Sequence, residues 1–540
     1  MRKPPASVSL TVFLLALVLG VALASCAGDD SEDEVAESTT TTTTTTAAPS
    51  TTSTTTTEAP TTTTTLDPLA IKDAAPTPLP IVMYPPDVGN PFSSGTSFDP
   101  AVLGYEQQEY FISGTARSFA PAEGTELTPD GRWALEFADE ADYATRVTVI
   151  RPRDPSAFNG TVMVEWYNVS SGLDAAPNWT MSHMEQIREG YAWVGVSAQA
   201  RGVEGGRAGV DVGFPLHLKG NNPERYGSLN HPGDSFSYDI FSQAAQALIG
   251  PANIEMLPGL SPERLIAVGD SQSAFRLVTY VNGVDPLVQL FDGFLIHSRG
   301  GGSASLSQSP QPDIETPDQV LIRSDVRVPV LTFQTETDIF RLGSINARQP
   351  DAHNIALWEV AGTAHGDVYN ISLSVGPQDI GDNPAIAEVV EVSAPIPGIF
   401  ECDAPINSGP QHWVMNAAVH ALNVWATGGP PPPSAPLLET DGEEFVVDQH
   451  GNTLGGVRTA WVDVPVATLT GEPPGGAGFC GLFGSTTLFS SAKLAELYPD
   501  KATYFEAMTT SVERSVTEGF LRPADAALIL ENAFANDIGR

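Results

Sequence analysis

Basic side chains are scarce in this chain: 26 Lys and Arg stand against 65 Asp and Glu, for a formal net charge of −39 at pH 7. Nucleic acids and anionic lipid surfaces are held through clusters of Lys and Arg, so the charge balance argues against a polyanionic partner. A neutral or cationic substrate meets no such barrier. Cysteine is sparse too, with 3 in 540 residues. That excludes a disulfide-dense scaffold, and no pair has the spacing of a zinc site. The long apolar run, Val8 to Ala24, is short for a membrane-spanning helix. With 41% apolar and 17% charged residues, the chain reads as globular over most of its length.

What is present begins with a targeting pattern. Arg2 and Lys3 precede the apolar run, and Ser25 and Cys26 follow it, as in a secretory signal. Leu23-Ala24-Ser25-Cys26 resembles the bacterial lipobox, where small residues fit the signal peptidase and the Cys sulfur accepts a diacylglycerol. The resemblance implies a signal peptide over residues 1–25, lipidation of Cys26, and a lipoprotein anchored by its N-terminal lipid at the extracytoplasmic face of the cell envelope. An uncleaved anchor or a plain secretory signal is the alternative, and either leaves Cys26 at the cleavage point by coincidence. Residues 26–76 hold an acidic patch (Asp29, Asp30, Glu32, Asp33, Glu34) and then Thr runs broken by Ala, Pro and Ser. Nothing there can bury a core, so this segment reads as a disordered stalk. In an oxidising compartment the remaining cysteines, Cys402 and Cys480, most simply pair with each other.

From residue 77 onward, short β-rich runs alternate with helical stretches, the pattern of a mostly parallel sheet covered on both faces. Eight strands are expected. Tyr105–Phe119 and Tyr143–Pro152 read as antiparallel edge pieces, and Gly160–Asn168 as a buried strand. Tyr191–Gln199, Arg264–Ser271, Phe291–Ser298, Val328–Thr335 and Ile355–Val360 complete the series. Helices are expected at Met181–Glu189, Ser235–Leu248, Gln272–Val281 and Gln411–Ala426. The chain from about residue 370 is a C-terminal extension, with a β-like stretch near Ala460–Leu469 and helices in Ser491–Glu518 and Pro523–Phe534. It is long for a bare core and is expected to pack on the core or cover the site.

Ser271 lies in VGDSQSA, between an apolar strand and a helical run. A nucleophile elbow turns so tightly there that small residues are needed two positions either side, here Gly269 and Ser273. Ser273 stands where the commonest pattern has a second Gly. A serine hydroxyl also needs a base within reach and a carboxylate to orient that base. Asp338 follows the strand Val328–Thr335 and is the expected acid, with Glu336 as its competitor. His365 ends the small-residue loop AGTAH after the last expected strand and is the expected base. The order Ser, Asp, His is the one this architecture requires. His183, His231 and His297 read as structural. Two amides are expected to face a developing oxyanion, those of Gln272 and of Val169 in the loop after the third strand. Trp166 and Tyr167 read equally as acyl-pocket wall or as core, and Arg299–Gln319 as a small lid or an ordinary surface loop.

The stretches VEWYNVSSG, RYGSLNHPGDSFSYDIFSQ, VGDSQSA, FQTETD and AGTAHGD resemble the α/β-hydrolase superfamily, and more narrowly the bacterial "alpha/beta hydrolase domain" proteins. The resemblance runs from about Pro78 to the C-terminus. It implies an α/β-hydrolase fold and a serine-dependent hydrolase with Ser271, Asp338 and His365 as nucleophile, acid and base. It supplies no substrate. The expected activity is hydrolysis of a neutral carboxylic ester, a small molecule, without metal or cofactor. A peptidase or amidase keeps the same three residues, and a surface binding protein on an unused hydrolase scaffold is the reading from another class.

Overall fold

Strands β1 (Ile81–Met83), β2 (Tyr105–Pro121), β3 (Leu135–Pro152), β4 (Thr161–Trp166), β5 (Ala192–Val196), β6 (Arg264–Asp270), β7 (Gly293–His297), β8 (Val330–Thr335) and β9 (Ile355–Val360) form one sheet. Their spatial order is β1-β2-β3-β5-β4-β6-β7-β8-β9. This computed structural model describes residues 74–540 apart from 93–95, 97, 208, 211 and 374–378. The expected signal peptide, Cys26 and nearly all of the expected stalk therefore lie outside the described residues. From β5 through β9 the neighbouring strands pair in parallel, whereas β1, β2 and β3 form an antiparallel margin whose last member is antiparallel to β5. The sheet thus has nine strands among the described residues, one more than expected. The addition, β1, is three residues long between Pro80 and Pro85, and Ile81 is 64% exposed. Such a short, exposed edge carries no periodic signal.

Both faces of the parallel part are covered, which is why its strands read as nearly continuous apolar runs. Successive side chains alternate between two layers. Val162, Val164, Ala267, Phe294 and Ile296 face a core shared with α2 (Ser237–Ile249) and α3 (Gln272–Thr279). Met163, Ile266, Val268, Leu295, Leu331 and Phe333 face the opposite core, covered by α1 (Pro177–Arg188) and α4 (Gln411–Ala426). Each such side chain, fully buried, contributes about 1.5–3 kcal/mol, so the two layers fix the sheet on which the site is mounted.

The C-terminal extension has its own apolar core, in which Trp461, Leu469, Tyr504, Val512 and Ile529 gather around Trp413 of α4. The helical stretch expected within Ser491–Glu518 forms two helices. Pro499 ends one helix at Leu497, and the Asp500 side chain accepts from the Thr503 amide to start α5 (Lys501–Glu518). The β-like stretch is also divided, because Pro465 separates a helical turn at Ala460–Asp463 from the strand Ala467–Thr470. The extension docks on α1 and α4: Arg522 meets Glu185 at 2.9 Å, and Asp525 meets Arg188 at 2.7 Å and Asn416 at 2.8 Å. A disulfide joins Cys402 to Cys480, with Cα atoms 5.6 Å apart. Among the described residues no helix is long and apolar enough to cross a membrane.

Candidate active site

One residue separates β6 from α3, and that residue is Ser271. Its backbone is forced to φ 53° and ψ −116°, a region that L residues other than Gly seldom enter. The turn is possible because Gly269 has no side chain: a Cβ there would stand 2.8 Å from the Ser273 carbonyl oxygen. Ser273 does more than fit. Its Oγ accepts from the Asp270 amide at 2.9 Å and donates to the Asp270 carbonyl at 2.9 Å, stapling the elbow that it closes. The Ser271 amide donates to the His297 carbonyl at 2.9 Å and so remains tied to β7.

Three side chains distant in sequence meet above this turn. Asp338 sits in a short helix, Glu336–Phe340, directly after β8. Its Oδ2 accepts from the Thr335 amide at 2.7 Å and from the Thr335 hydroxyl at 2.8 Å, a reciprocal cap that leaves Oδ1 free to turn outward. Oδ1 lies 2.6 Å from Nδ1 of His365, and His365 Nε2 lies 2.9 Å from Ser271 Oγ. With the ring proton on Nδ1 facing the carboxylate, Nε2 is the acceptor for the serine hydroxyl. All three are buried, with His365 only 4% exposed. In such a chain the imidazole can take the hydroxyl proton as the oxygen attacks a carbonyl, and the carboxylate steadies the resulting cation.

Glu336 does not reach this histidine. Its Oε1 accepts from the Gly362 amide at 2.6 Å and its Oε2 from the Gly471 amide at 2.8 Å. It braces the loop that carries His365 against the C-terminal extension. Burial pushes its carboxyl up to about 7, against the pull of those two amides. Further ties run from the extension to the same loop: the Gly366 amide donates to the Leu482 carbonyl at 3.1 Å, and Asn407 Nδ2 to the Gly362 carbonyl at 3.2 Å. The extension therefore packs on the core and grips the histidine loop.

The amides of Gln272 and Val169 stand where a partner would be welcome. Gln272 opens α3, so its N–H has no intrahelical acceptor. Neither amide meets a protein acceptor among the described residues. Both residues border a cleft of about 650 Å³. Asn168, which sequence reasoning passed over, ties the two sides together by donating from Nδ2 to the Asp270 carbonyl at 2.9 Å. Only its place at the end of a buried strand hinted at this.

The remaining expectations resolve into structure. His297 lies below the elbow, with Nδ1 3.0 Å from Asp270 Oδ1 and Nε2 accepting from Gln411 at 2.9 Å. His231 and His183 contact backbone carbonyls of Ala198, and of Thr180 and Asp379. Trp166 and Tyr167 belong to the two cores, Trp166 against Phe241 and Tyr167 against Trp193. The loop after β7 forms one wall of the cleft. Buried Arg299 donates to the carbonyls of Gly300, Gly301, Gly302 and Val320, holding that wall to the sheet. Among the described residues no group of three or more His, Cys, Asp or Glu is placed to hold a metal ion.

A mostly parallel sheet, a strained serine between β6 and its following helix, a histidine on the loop after β9 and an acid on the short helix after β8 define an α/β hydrolase. The chain belongs to the alpha/beta hydrolase domain family, whose model matches residues 57–531. Among solved structures, it is similar to a glucuronoyl esterase from Solibacter usitatus, at 11% identity over 54% of this chain and 86% of that one, with a TM-score of 0.27. It is also similar to an α/β serine hydrolase without a lid from Xanthomonas campestris (12% identity, 41% and 80% coverage, TM-score 0.24). An esterase from Rhizomucor miehei gives 11% identity, 58% and 85% coverage and a TM-score of 0.28. No curated protein matches the chain.

Proposed function

We propose that this protein is a serine-dependent carboxylic ester hydrolase, with Ser271 as nucleophile, His365 as base and Asp338 as supporting acid. The observation that carries the reading is the unbroken hydrogen-bonded chain from Asp338 through His365 to Ser271, beside two amides that meet no acceptor among the described residues. Ser271 Oγ bonds to the acyl carbon as its proton passes to His365 Nε2. The tetrahedral oxyanion rests on the amides of Gln272 and Val169. The ester C–O bond then breaks, and the alkoxide leaves with the proton from His365. Water, deprotonated by the same ring, attacks the acyl carbon; the bond from that carbon to Ser271 Oγ breaks, Oγ takes the proton back from His365, and the acid is released.

The lipobox-like segment at Cys26 supports export and lipid anchoring, and the Cys402–Cys480 disulfide suits an oxidising compartment outside the cytoplasmic membrane. A metabolic label of palmitate on the wild type, absent from Cys26→Ser, tests the anchor.

The activity is tested with a fluorophosphonate probe. Covalent labelling of the wild type that vanishes in Ser271→Ala is the expected result, together with release of 4-nitrophenol from 4-nitrophenyl acetate. Well-folded wild type that resists the probe would return the chain to a binding role. Hydrolysis of 4-nitroanilides in preference to the matching esters would make it an amidase.

A further inference from the structure

The cleft beside Gln272 is built from polar side chains held in fixed positions. Arg276 follows Gln272 by one helical turn on α3, so the two share a face. Arg276 is 4% exposed; its Nη2 donates to Asp234 Oδ2 at 3.0 Å and to Gln308 Oε1 at 3.0 Å, and its Nη1 to the Tyr238 hydroxyl at 3.4 Å. Asp234 also accepts from the Ala200 amide at 2.7 Å and from Gln199 Nε2 at 3.3 Å. That commits its carboxylate to the protein. Arg276 Nε and Gln272 Oε1 are buried beneath the lining and have no hydrogen-bond partner among the described residues. Arg201 lines the same cleft, partly exposed and without a carboxylate partner among the described residues.

The opposite wall, Gly301 to Ser305, presents mostly backbone. A Cβ on Gly301 would stand 2.7 Å from the Gly343 carbonyl oxygen, and one on Gly302 2.9 Å from that of Asp318. Large apolar side chains are few, Phe275 and Leu342 being the bulkiest in the lining. A long alkyl group laid here would strip water from guanidinium and amide groups and return no hydrogen bonds. A hydroxyl both donates and accepts, so a hydroxyl-rich group meets both the donors and the acceptors of this lining, among them Arg201, Ser303 and Glu315. The fixed fork of an arginine suits neighbouring oxygens. Glu315 and Asp318 share the lining, which disfavours an anionic group and leaves an uncharged one.

We propose that this cleft receives an uncharged, polyhydroxylated part of the substrate, so that the protein hydrolyses esters of sugars or related polyols, with Arg201 and Arg276 as specificity-determining residues. The proposal rests on the serine hydrolase reading above. It is tested by comparing an acetylated methyl glucoside with 4-nitrophenyl octanoate on the full chain, alongside fluorophosphonate labelling. The wild type should favour the glucoside ester by about tenfold or more in kcat/KM. In Arg201→Ala the glucoside-to-octanoate ratio should fall about tenfold, through KM for the glucoside ester. Labelled protein that prefers octanoate, or whose ratio is unmoved by Arg201→Ala, overturns this proposal alone. Folded protein that takes no label overturns the hydrolase reading, and the proposal with it.

Discussion

Asn168 and Asp270 are joined by a 2.9 Å hydrogen bond that links the loop after β4 to the last residue of β6. The same side chain accepts from the Ser170 amide at 2.9 Å, and the Asn168 backbone pairs with Ala175. Val169 follows one end of this bridge, and Gln272 stands two residues beyond the other. The spacing of the two proposed oxyanion donors is therefore set by one buried amide. Asn168→Ala should lower kcat by about 10²-fold with a small change in KM. Binding of a boronic acid transition-state analogue should weaken in parallel. A fall in melting temperature with no change in analogue affinity would reduce Asn168 to a structural role.

Asp338 and Glu336 are separated by one residue and make different contacts. Asp338→Asn should cut kcat/KM by about 10²–10⁴-fold, because the imidazole loses its orienting anion. Glu336→Gln should keep activity within about tenfold of wild type while lowering the denaturation midpoint, since one of two amide contacts is lost. Comparable losses in the two variants would place Glu336 in the chemistry.

The raised buried carboxyls should lower stability as pH rises from about 4.5 to about 8, offset in part below about 6.5 by buried His412 and His231, whose pKa values burial lowers. Burial raises Glu336 from 4.5 to about 7, Asp367 from 3.8 to about 7, and Glu165 from 4.5 to about 8. A raised carboxyl keeps its proton in the folded state after the unfolded chain has released it. The folded state then binds more protons, and each rise in pH through the window favours unfolding. Each such group contributes on the order of 3–5 kcal/mol. Urea midpoints at pH 5 and pH 8 check the slope, and Glu336→Gln should flatten the part below about pH 7.

The elbow should tolerate its two small residues unequally. Ser273→Gly removes both hydrogen bonds to Asp270 and should cost about 1–2 kcal/mol with activity retained. Gly269→Ala drives a methyl against the Ser273 carbonyl and should cost about 1–3 kcal/mol and displace Ser271 as well. Chemical denaturation and labelling rate, measured together, separate the two effects.

The disulfide closes a span of 78 residues. Replacing Cys402 and Cys480 together by Ser should destabilise the fold by about 2–4 kcal/mol. A reductant should lower the wild-type melting temperature and leave that of the double variant unmoved.

The parallel strands and the helix Gln411–Ala426 were legible in the chain because each buries enough apolar surface to impose its own pattern. VGDSQSA announced a tight turn for a local reason as well, since only small residues fit between a strand and a helix that approach so closely. Sequence order alone placed a serine, an acid and a histidine each after an expected strand.

Which carboxylate faced the histidine was decided elsewhere. Glu336 and Asp338 occupy one turn, and position after the strand favours Asp338 without excluding Glu336. Thr335 captures one oxygen of Asp338, while Gly362 and Gly471 claim both oxygens of Glu336. The Asn168 bridge and the Asp234–Arg276 floor of the cleft are likewise long-range contacts. Apolar periodicity is a property of neighbours along the chain and survives in the sequence. A hydrogen bond between residues separated by a hundred positions leaves no local trace, and only the packed sheet brings its two ends together.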